Sequence, residues 1–272
     1  MKKHIFTVDV ENWYDGFFDS GKFEARFQNR LEANVRHLLS LLQEKNANAT
    51  FFWLGSVAVK HRILIREIQN LGHDIGCHGW SHTHIDFLGR ETFLAETNRA
   101  IGTLSEIIGE PIRYYRAPFF SISSRTPWAL PILAQNGIKF DSSIVPVKYW
   151  RYGFTGFEPG TSVLQTDHGE VTELPVSTGK FLGWRIPFGG GAWFRLIPYR
   201  FIEQGFCNLE DIGAPGVFYI HPWELDPGHP KIYQDIRTVV PHYWNLGTCE
   251  KRLTRLLENH EFTSIGRALN GL

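Results

Sequence analysis

A chain of 272 residues with 43% hydrophobic side chains can bury a large apolar core and is not disordered. Its 28 basic and 28 acidic side chains give a formal net charge of zero, which excludes a protein that binds nucleic acid through a basic excess. Three cysteines without close pairing argue against a disulfide framework and favour a reducing compartment.

The amino-terminal segment does not have the composition of a secretory signal. Asp9 and Glu11 interrupt the apolar run that follows the first two lysines. No apolar stretch approaches the roughly 18–20 residues that a membrane-spanning helix needs. We therefore expect a cytoplasmic protein without a transmembrane segment, and peripheral contact at the inner membrane surface stays open.

Short apolar runs alternate with helical patterns over the first half of the chain. In chain order, predicted strands at 4–10, 49–54, 73–77, 112–116 and 138–141 alternate with predicted helices around 31–42, 64–71, 93–108 and 126–136. Strands separated by helices of this length predict right-handed βαβ units and a parallel sheet, open or closed.

The regular alternation fades after residue 144. Residues 145–165 and 183–200 are rich in glycine, proline and aromatic side chains, which predicts long loops. A predicted strand at 217–220 and a predicted helix at 248–259 complete the chain. Because there is no composition shift and no internal repeat, we expect one domain over 1–272 with a loop-rich insertion around 145–215.

Residue types used in catalysis stand where the predicted strands end. They are Asp9 and Glu11 on the first strand, His78 after the third, Arg116 on the fourth, Asp141 on the fifth and His221 on the last. The carboxyl ends of parallel strands meet at one face of a barrel or sheet, where active sites form. We therefore expect these side chains to gather at one face.

His78 and His82 have the spacing of a two-histidine metal site. If the segment turns helically, both imidazoles lie on one side, and the alternative is a pair of surface or capping histidines. Alternation along a strand places Asp9 and Glu11 on the same face, so one carboxylate can bind metal while the other takes a proton. Two histidines and one carboxylate leave an open coordination position, as in catalytic zinc sites. The alternative for the acidic pair is simple solvation.

The remaining strand-end residues suggest supporting roles. Arg116 can hold Asp9 through a bidentate contact, and the alternative is a generic ion pair. His221 carries an imidazole suited to protonating a leaving group, and Asp141 could orient that imidazole. Both assignments require that the residues are adjacent in space.

Together, these motifs resemble the polysaccharide deacetylases of the NodB-homology type (carbohydrate esterase family 4). Thr7-Val8-Asp9-Val10-Glu11 corresponds to the first motif of that family, His78 through His82 to the second, Arg116-Ala117-Pro118-Phe119 to the third, Asp141 to the fourth and His221 to the fifth. The resemblance implies an α/β fold, a distorted (β/α)7 barrel, together with a divalent metal and hydrolysis of an N-acetyl group on an amino sugar.

A narrower likeness concerns the segments Asp9 to Trp13, Gly189 to Arg195 and His221 to Glu224. These segments are similar to the subgroup encoded with exopolysaccharide and exosortase loci. The likeness implies an N-acetylated glycan or a lipid-linked oligosaccharide as substrate.

The first motif departs from the family pattern at Val10, which stands where the family has a second, metal-binding aspartate. We therefore expect Glu11, His78 and His82 to bind the metal and Asp9 to act as the base; if Glu11 points elsewhere, Asp9 becomes the ligand. Zn²⁺ is the first expectation, with Co, Ni and Mn as alternatives. Val10 also leaves open a glycan-binding module without catalysis, and a deformylase or cyclic-amide hydrolase on the same fold is a further alternative.

Four residues are expected to contact substrate, namely Pro118, Phe119, Trp193 and Trp223. Aromatic rings stack on sugars and glycines such as those at 189–191 permit close backbone approach, although a core-packing loop is an equal alternative. Phe119 replaces a family tyrosine and leaves an apolar wall. The amphipathic stretch 193–200 could instead contact a membrane that carries a lipid-linked glycan.

Overall fold

The computed structural model describes residues 3–17, 23, 27–149, 152–181, 183–233 and 235–269. The strands are β1 (His4–Val10), β2 (Thr50–Trp53), β3 (Asp74–Cys77), β4 (Tyr114–Tyr115), β5 (Phe140–Asp141), β6 (Ser162–Thr166), β7 (Gly169–Glu173), β8 (Thr178–Phe181), β9 (Trp184–Pro187), β10 (Val217–Ile220) and β11 (Phe262–Thr263). The helices are α1 (Leu31–Glu44), α2 (Gly55–Ala58), α3 (Arg62–Asn70), α4 (Ile85–Ile108), α5 (Ala129–Gln135), α6 (Gly191–Leu196), α7 (Tyr199–Asp211), α8 (Ile236–Tyr243), α9 (Cys249–Asn259) and α10 (Ile265–Leu269). Short 3-10 helices lie at Pro118–Phe120, Pro222–Leu225 and Leu246–Thr248.

The chain divides into two compact units. The first unit comprises Met1–Ala49 and Phe188–Leu272, and the second comprises Thr50–Pro187. Within the described ranges, no helix combines the length and the hydropathy required to cross a membrane.

In the first unit, β1 is the central strand of a parallel set. It pairs with β10, where Ile5 faces Val217 and Val8 faces Ile220, and with β11, where His4 faces Phe262. Every residue of β1 is buried, which is typical of a parallel strand covered on both faces. Phe6 of β1, Phe218 of β10 and Phe262 of β11 pack together in the aromatic core. The residues at the ends of β1 and β10 therefore extend from a rigid, packed core.

In the second unit, β2, β3, β4, β5 and β7 lie side by side in parallel, and β6 completes the edge antiparallel to β7. The register aligns the strand ends in one row, listed from β2 to β7 as Trp53, Cys77, Tyr115, Asp141 and Glu173. Because the strands are parallel, the residues that follow this row emerge on the same side of the sheet. This row therefore sets the position of the polar residues that follow β3, β4 and β5.

The elements predicted from the sequence agree with the structure more closely in the first half of the chain than in the rest. The strands predicted at 4–10 and 217–220 are confirmed with the same bounds, and the predicted parallel pairing is confirmed in both units. The long loops predicted at 145–165 and 183–200 are wrong in part, because β6, β9 and α6 fall within them. These elements are short and half-exposed, so they lack a long apolar period. The expected single domain over 1–272 stays a prediction.

Candidate active site

The segment from His78 to His82 forms a loop at the end of β3. The segment does not turn helically, because Gly79 has a φ of 81°, in the left-handed region. The loop is fixed by the start of α2: the N–H of Gly55 donates to the carbonyl of Gly79 at 2.8 Å, and the N–H of Ser56 donates to that of Trp80 at 3.2 Å. The two imidazoles nevertheless come together, with ring centroids 5.6 Å apart.

His78 has the orientation of a metal-binding histidine. Its side chain is buried, and its Nδ1 lies 2.8 Å from the carbonyl oxygen of Arg116. A carbonyl can only accept, so Nδ1 carries the proton and Nε2 keeps its lone pair for an ion. His82 packs against Phe119 at a centroid distance of 4.3 Å.

Two further contacts hold this loop. Glu96 of α4 accepts hydrogen bonds from the hydroxyl of Ser81, the shorter at 2.7 Å, and from its backbone N–H at 3.3 Å. His84 is the N-cap of α4, and its Nδ1 accepts from the N–H of Asp86 at 3.3 Å. His84 therefore caps a helix and supports the loop that carries His82.

Arg116 is fully buried beyond the end of β4. Its Nε donates to the carbonyl of Ser142 at 2.9 Å, its Nη2 donates to the Ser142 hydroxyl at 2.7 Å, and its guanidinium lies 4.6 Å above the ring of Phe52. This placement anchors the guanidinium in one orientation at the strand-end row.

Asp141 pairs with Glu173, a residue that the sequence did not single out. Asp141 and Glu173 are adjacent in the register, and Asp141 also accepts from the Ser143 hydroxyl at 2.5 Å. Burial raises the pKa of Asp141, and burial together with repulsion from Asp141 raises the pKa of Glu173 well above its usual value. The two carboxyls are thus buried neighbours, and their repulsion opposes the ionised form of Glu173.

In the first unit, Asp9 and Glu11 are both buried at the end of β1, with exposed fractions of 1% and 4%. Glu11 Oε1 lies 3.5 Å from His221 Nε2 and accepts a hydrogen bond from the indole of Trp223 at 3.4 Å. A purely solvated acidic pair is therefore wrong for this segment.

His221 follows β10 and is held by a carboxylate that the sequence did not suggest. Its Nδ1–H donates to Glu224 Oε1 at 2.8 Å, and its backbone N–H donates to the same oxygen at 3.1 Å. Burial opposes protonation, but the Glu11 carboxylate and the hydrogen bond to Glu224 outweigh it and raise the pKa of His221 to about 9. The predicted orientation of His221 by Asp141 is thus wrong, since Glu224 occupies Nδ1 and Asp141 pairs with Glu173.

Glu224 is in turn paired with Arg195. Arg195 Nε lies 2.7 Å from Glu224 Oε2, and the two side chains are 1% and 0% exposed. Burial opposes the carboxylate charge, but Arg195 and His221 outweigh it and lower the pKa of Glu224 to about 2. Within 193–200, Phe194, Arg195 and Ile197 are buried, and contact of this stretch with a membrane stays a prediction.

Trp223 is a packing residue of this site. It is 7% exposed, and its ring stacks on His242 at 4.1 Å and lies nearly parallel to that of His221 at 5.1 Å. The expected contact of Trp223 with substrate stays a prediction. Trp193 is half-buried in α6, and its contact with substrate stays a prediction.

A second group of potential ligands, His4, Glu210 and His260, does not fit a metal. The N–H of Gly216 donates to His4 Nδ1 at 2.9 Å, so the proton of this imidazole is on Nε2, which faces Glu210 Oε1 at 3.2 Å. His260 Nδ1 faces the same oxygen at 2.9 Å. Both imidazoles donate to one carboxylate, and the group joins β1 to the ends of α7 and α9 as a hydrogen-bonded cluster.

Two family models match this chain in succession. Residues 17–140 match the model described as polysaccharide deacetylase. Residues 142–270 match a model described as a domain of unknown function (DUF3473). This segment of the chain contains Arg195, His221 and Glu224.

Sequence relatives include deacetylases of two kinds. Chitin deacetylase 2 of Saccharomyces cerevisiae is 28% identical over 112 residues, which are 41% of this chain and 35% of the yeast protein. A peptidoglycan-N-acetylglucosamine deacetylase of Bacillus cereus is 29% identical over 93 residues, which are 34% of each chain. The chain thus spans about a third of the length of these two relatives.

Solved structures resemble the whole chain. A Mycobacterium smegmatis protein assigned to the polysaccharide deacetylases matches with a TM-score of 0.65 at 21% identity, covering 100% of this chain and 91% of that one. A Bacillus anthracis pseudoenzyme of carbohydrate esterase family 4 matches with a TM-score of 0.52 at 11% identity, covering 98% of this chain and 65% of that one. At these identities the likeness establishes the fold alone, and the predicted NodB-type α/β fold class is confirmed.

Proposed function

We propose that this protein is a metal-dependent N-deacetylase that removes acetyl groups from an amino sugar in a polysaccharide or glycan intermediate. The observation that carries the proposal is the orientation of His78, whose Nδ1–H is bound by the Arg116 carbonyl while the ring lies beside that of His82. This pair falls within the part of the chain that matches the polysaccharide deacetylase model.

The side chains proposed to hold the metal are Glu11, His78 and His82, each of which offers a ligand atom. Two imidazoles and a carboxylate suit Zn²⁺, and Co, Ni and Mn accept the same donors. When bound, the cation would polarise the acetamide carbonyl and lower the pKa of a water molecule. Val10 needs no role as a ligand in this assignment, because Glu11 supplies the carboxylate.

Asp9 is proposed as the general base that takes the proton of the attacking water. Its carboxylate is buried at the end of β1, next in the alternation to Glu11. We assign to Arg116 the task of orienting Asp9, since a buried guanidinium fixed by Ser142 is a rigid source of positive charge. The positive charge of Arg116 also acts on the buried Asp141 carboxyl, where it opposes the rise in pKa that burial causes.

His221 is proposed as the general acid that protonates the departing amine. Nε2 of the His221 imidazolium lies 3.5 Å from Glu11 Oε1, and its Nδ1–H donates to Glu224. Transfer of the Nε2 proton to the amine nitrogen, with cleavage of the C–N bond, yields acetate and a free amino sugar.

The substrate is proposed to be an N-acetylated glycan or a lipid-linked oligosaccharide, as expected for a cytoplasmic protein of the exopolysaccharide subgroup. The curated relatives act on chitin and on peptidoglycan N-acetylglucosamine, by their names, which supports an N-acetylated hexosamine. Pro118, Phe119 and Trp193 are proposed to contact it. Phe119 lies beside His82, so an apolar wall adjoins the proposed metal ligands.

The test is acetate release from N-acetylated chito-oligosaccharides and peptidoglycan fragments by wild type, His78→Ala and a control, His168→Ala, whose imidazole is exposed. We expect wild type and the control to release acetate and His78→Ala to lose metal and activity. Release of formate, or of a ring-opened acid from a cyclic amide, would replace deacetylation with one of the alternative reactions. Glycan binding without metal and without turnover would indicate an inactive binding module.

A further inference from the structure

We propose that Glu224 positions the His221 imidazole for proton transfer and that Arg195 holds Glu224 for this task. The inference deepens the proposed deacetylase function and rests on it for the role of His221 as the acid. It assigns a purpose to residues that lie within the matched domain of unknown function.

The His221 ring and its backbone are both held by one oxygen of Glu224. Glu224 Oε1 accepts from the Nδ1–H at 2.8 Å and from the backbone N–H of the same residue at 3.1 Å. One oxygen therefore fixes both the ring and the backbone from which the ring extends. With Nδ1 fixed, Nε2 points to Glu11 at 3.5 Å. A carboxylate on one imidazole nitrogen sets the direction of the other, as in acid–base triads.

Glu224 is itself immobilised by Arg195. Its other oxygen accepts from Arg195 Nε at 2.7 Å. The remaining guanidinium donors point to the carbonyl oxygens at the end of α8, which are those of Pro241 at 2.9 Å, His242 at 3.2 Å and Trp244 at 2.5 Å. Each end of the carboxylate thus has a fixed partner, and Glu224 has one orientation available.

A glycine run beside β10 places Arg195. The N–H of Tyr219 donates to the carbonyl of Gly189 at 2.7 Å, so the glycine run crosses directly beside β10. Gly190 has a φ of 132°, and a Cβ there would lie 1.9 Å from the carbonyl oxygen of Tyr219. Only glycine permits this approach. Helix α6 begins at the next residue and carries Arg195 to Glu224, so the glycine run and His221 belong to one arrangement.

A buried ion pair without any role in positioning would also explain the contact between Arg195 and Glu224. Two double variants separate these possibilities, because both remove the two buried charges. Gln in Arg195→Met/Glu224→Gln can still accept from the His221 Nδ1–H, whereas Leu in Arg195→Met/Glu224→Leu cannot. Replacing both partners of a buried pair by uncharged groups is often tolerated.

We expect the Gln double variant to keep kcat for acetate release within about tenfold of wild type and the Leu double variant to lose about 100-fold in kcat, with KM within about twofold, since a positioned general acid contributes about 10²–10⁴-fold. In ¹⁵N-histidine-labelled protein, a slowly exchanging His221 Nδ1–H resonance should persist with Gln and vanish with Leu. Equal kcat and equal resonances in the two double variants would overturn the proposal.

Glu224→Asp gives an independent check in a protein that keeps the charge opposite Arg195. The side chain is one methylene shorter and cannot reach both partners, so kcat should fall about tenfold or more and the Nδ1–H resonance should exchange faster. Wild-type kcat and an unchanged resonance would contradict the proposal. If wild type itself releases no acetate, the deacetylase function fails, while the resonances still decide whether Glu224 holds His221.

Discussion

Replacing Glu224 by leucine would leave the Arg195 guanidinium buried without its counter-charge. The pKa of Glu224 is lowered from 4.5 to about 2, and at about 1.4 kcal/mol for each pKa unit the difference corresponds to about 3 kcal/mol. Removal of one partner from a buried ion pair costs about 3–5 kcal/mol. We therefore expect Glu224→Leu to lower the free energy of unfolding by about 3–5 kcal/mol, measured by urea unfolding at neutral pH.

Adding Arg195→Met to Glu224→Leu should recover most of this loss, because the stranded charge is then removed. The control is Arg36→Ala, which breaks an exposed pair with Glu32 and should cost about 0.5 kcal/mol or less. A loss below about 1 kcal/mol for Glu224→Leu, or a double variant less stable than Glu224→Leu, would refute the view that the two charges depend on each other.

Three other results are expected. Gly190→Ala should lower the free energy of unfolding by several kcal/mol because its Cβ meets the Tyr219 carbonyl, whereas Gly102→Ala in α4, with nothing within 4 Å, should stabilise by about 0.5–1 kcal/mol; equal effects in urea unfolding would contradict this. Asp9→Asn should keep its metal and lose about 10²–10⁴-fold in acetate release, and normal turnover would remove Asp9 as the base. Because the folded-state pKa of Glu224 lies below its unfolded value, its stabilisation is present above pH 4.5 and is lost as the pH falls towards about 2. The free energy of unfolding, measured with urea between about pH 5 and pH 3, should therefore fall more steeply for wild type than for Arg195→Met/Glu224→Leu. Equal slopes in the two proteins would contradict this prediction.

Sequence reasoning found residues whose position follows from strand order. Asp9 and His221 stand at or just after strand ends of the first unit, and His78 and Arg116 stand just after strand ends of the second. Within each unit, the parallel pairing that aligns such ends follows from the alternating pattern. The orientation of the His78 ring could not be read in this way, because it depends on the carbonyl of Arg116, 38 residues away.

The partners of these residues were harder to predict. Arg195 lies 29 residues before Glu224 and reaches it only because a glycine run crosses β10. Glu173 ends a strand whose short, polar sequence has no apolar period, so its pairing with Asp141 was missed. The contact between Glu224 and His221 could have been predicted, because a glutamate three residues after the N-cap residue of a helical turn can accept from the backbone N–H of that residue.

The proposal that Glu11, His78 and His82 hold a catalytic cation is tested most directly by elemental analysis of purified wild type and His78→Ala. The account predicts about one equivalent of divalent metal in wild type and almost none in a folded His78→Ala protein, with His168→Ala unchanged. A wild type that takes up no divalent metal, or equal metal in wild type and His78→Ala, would contradict it.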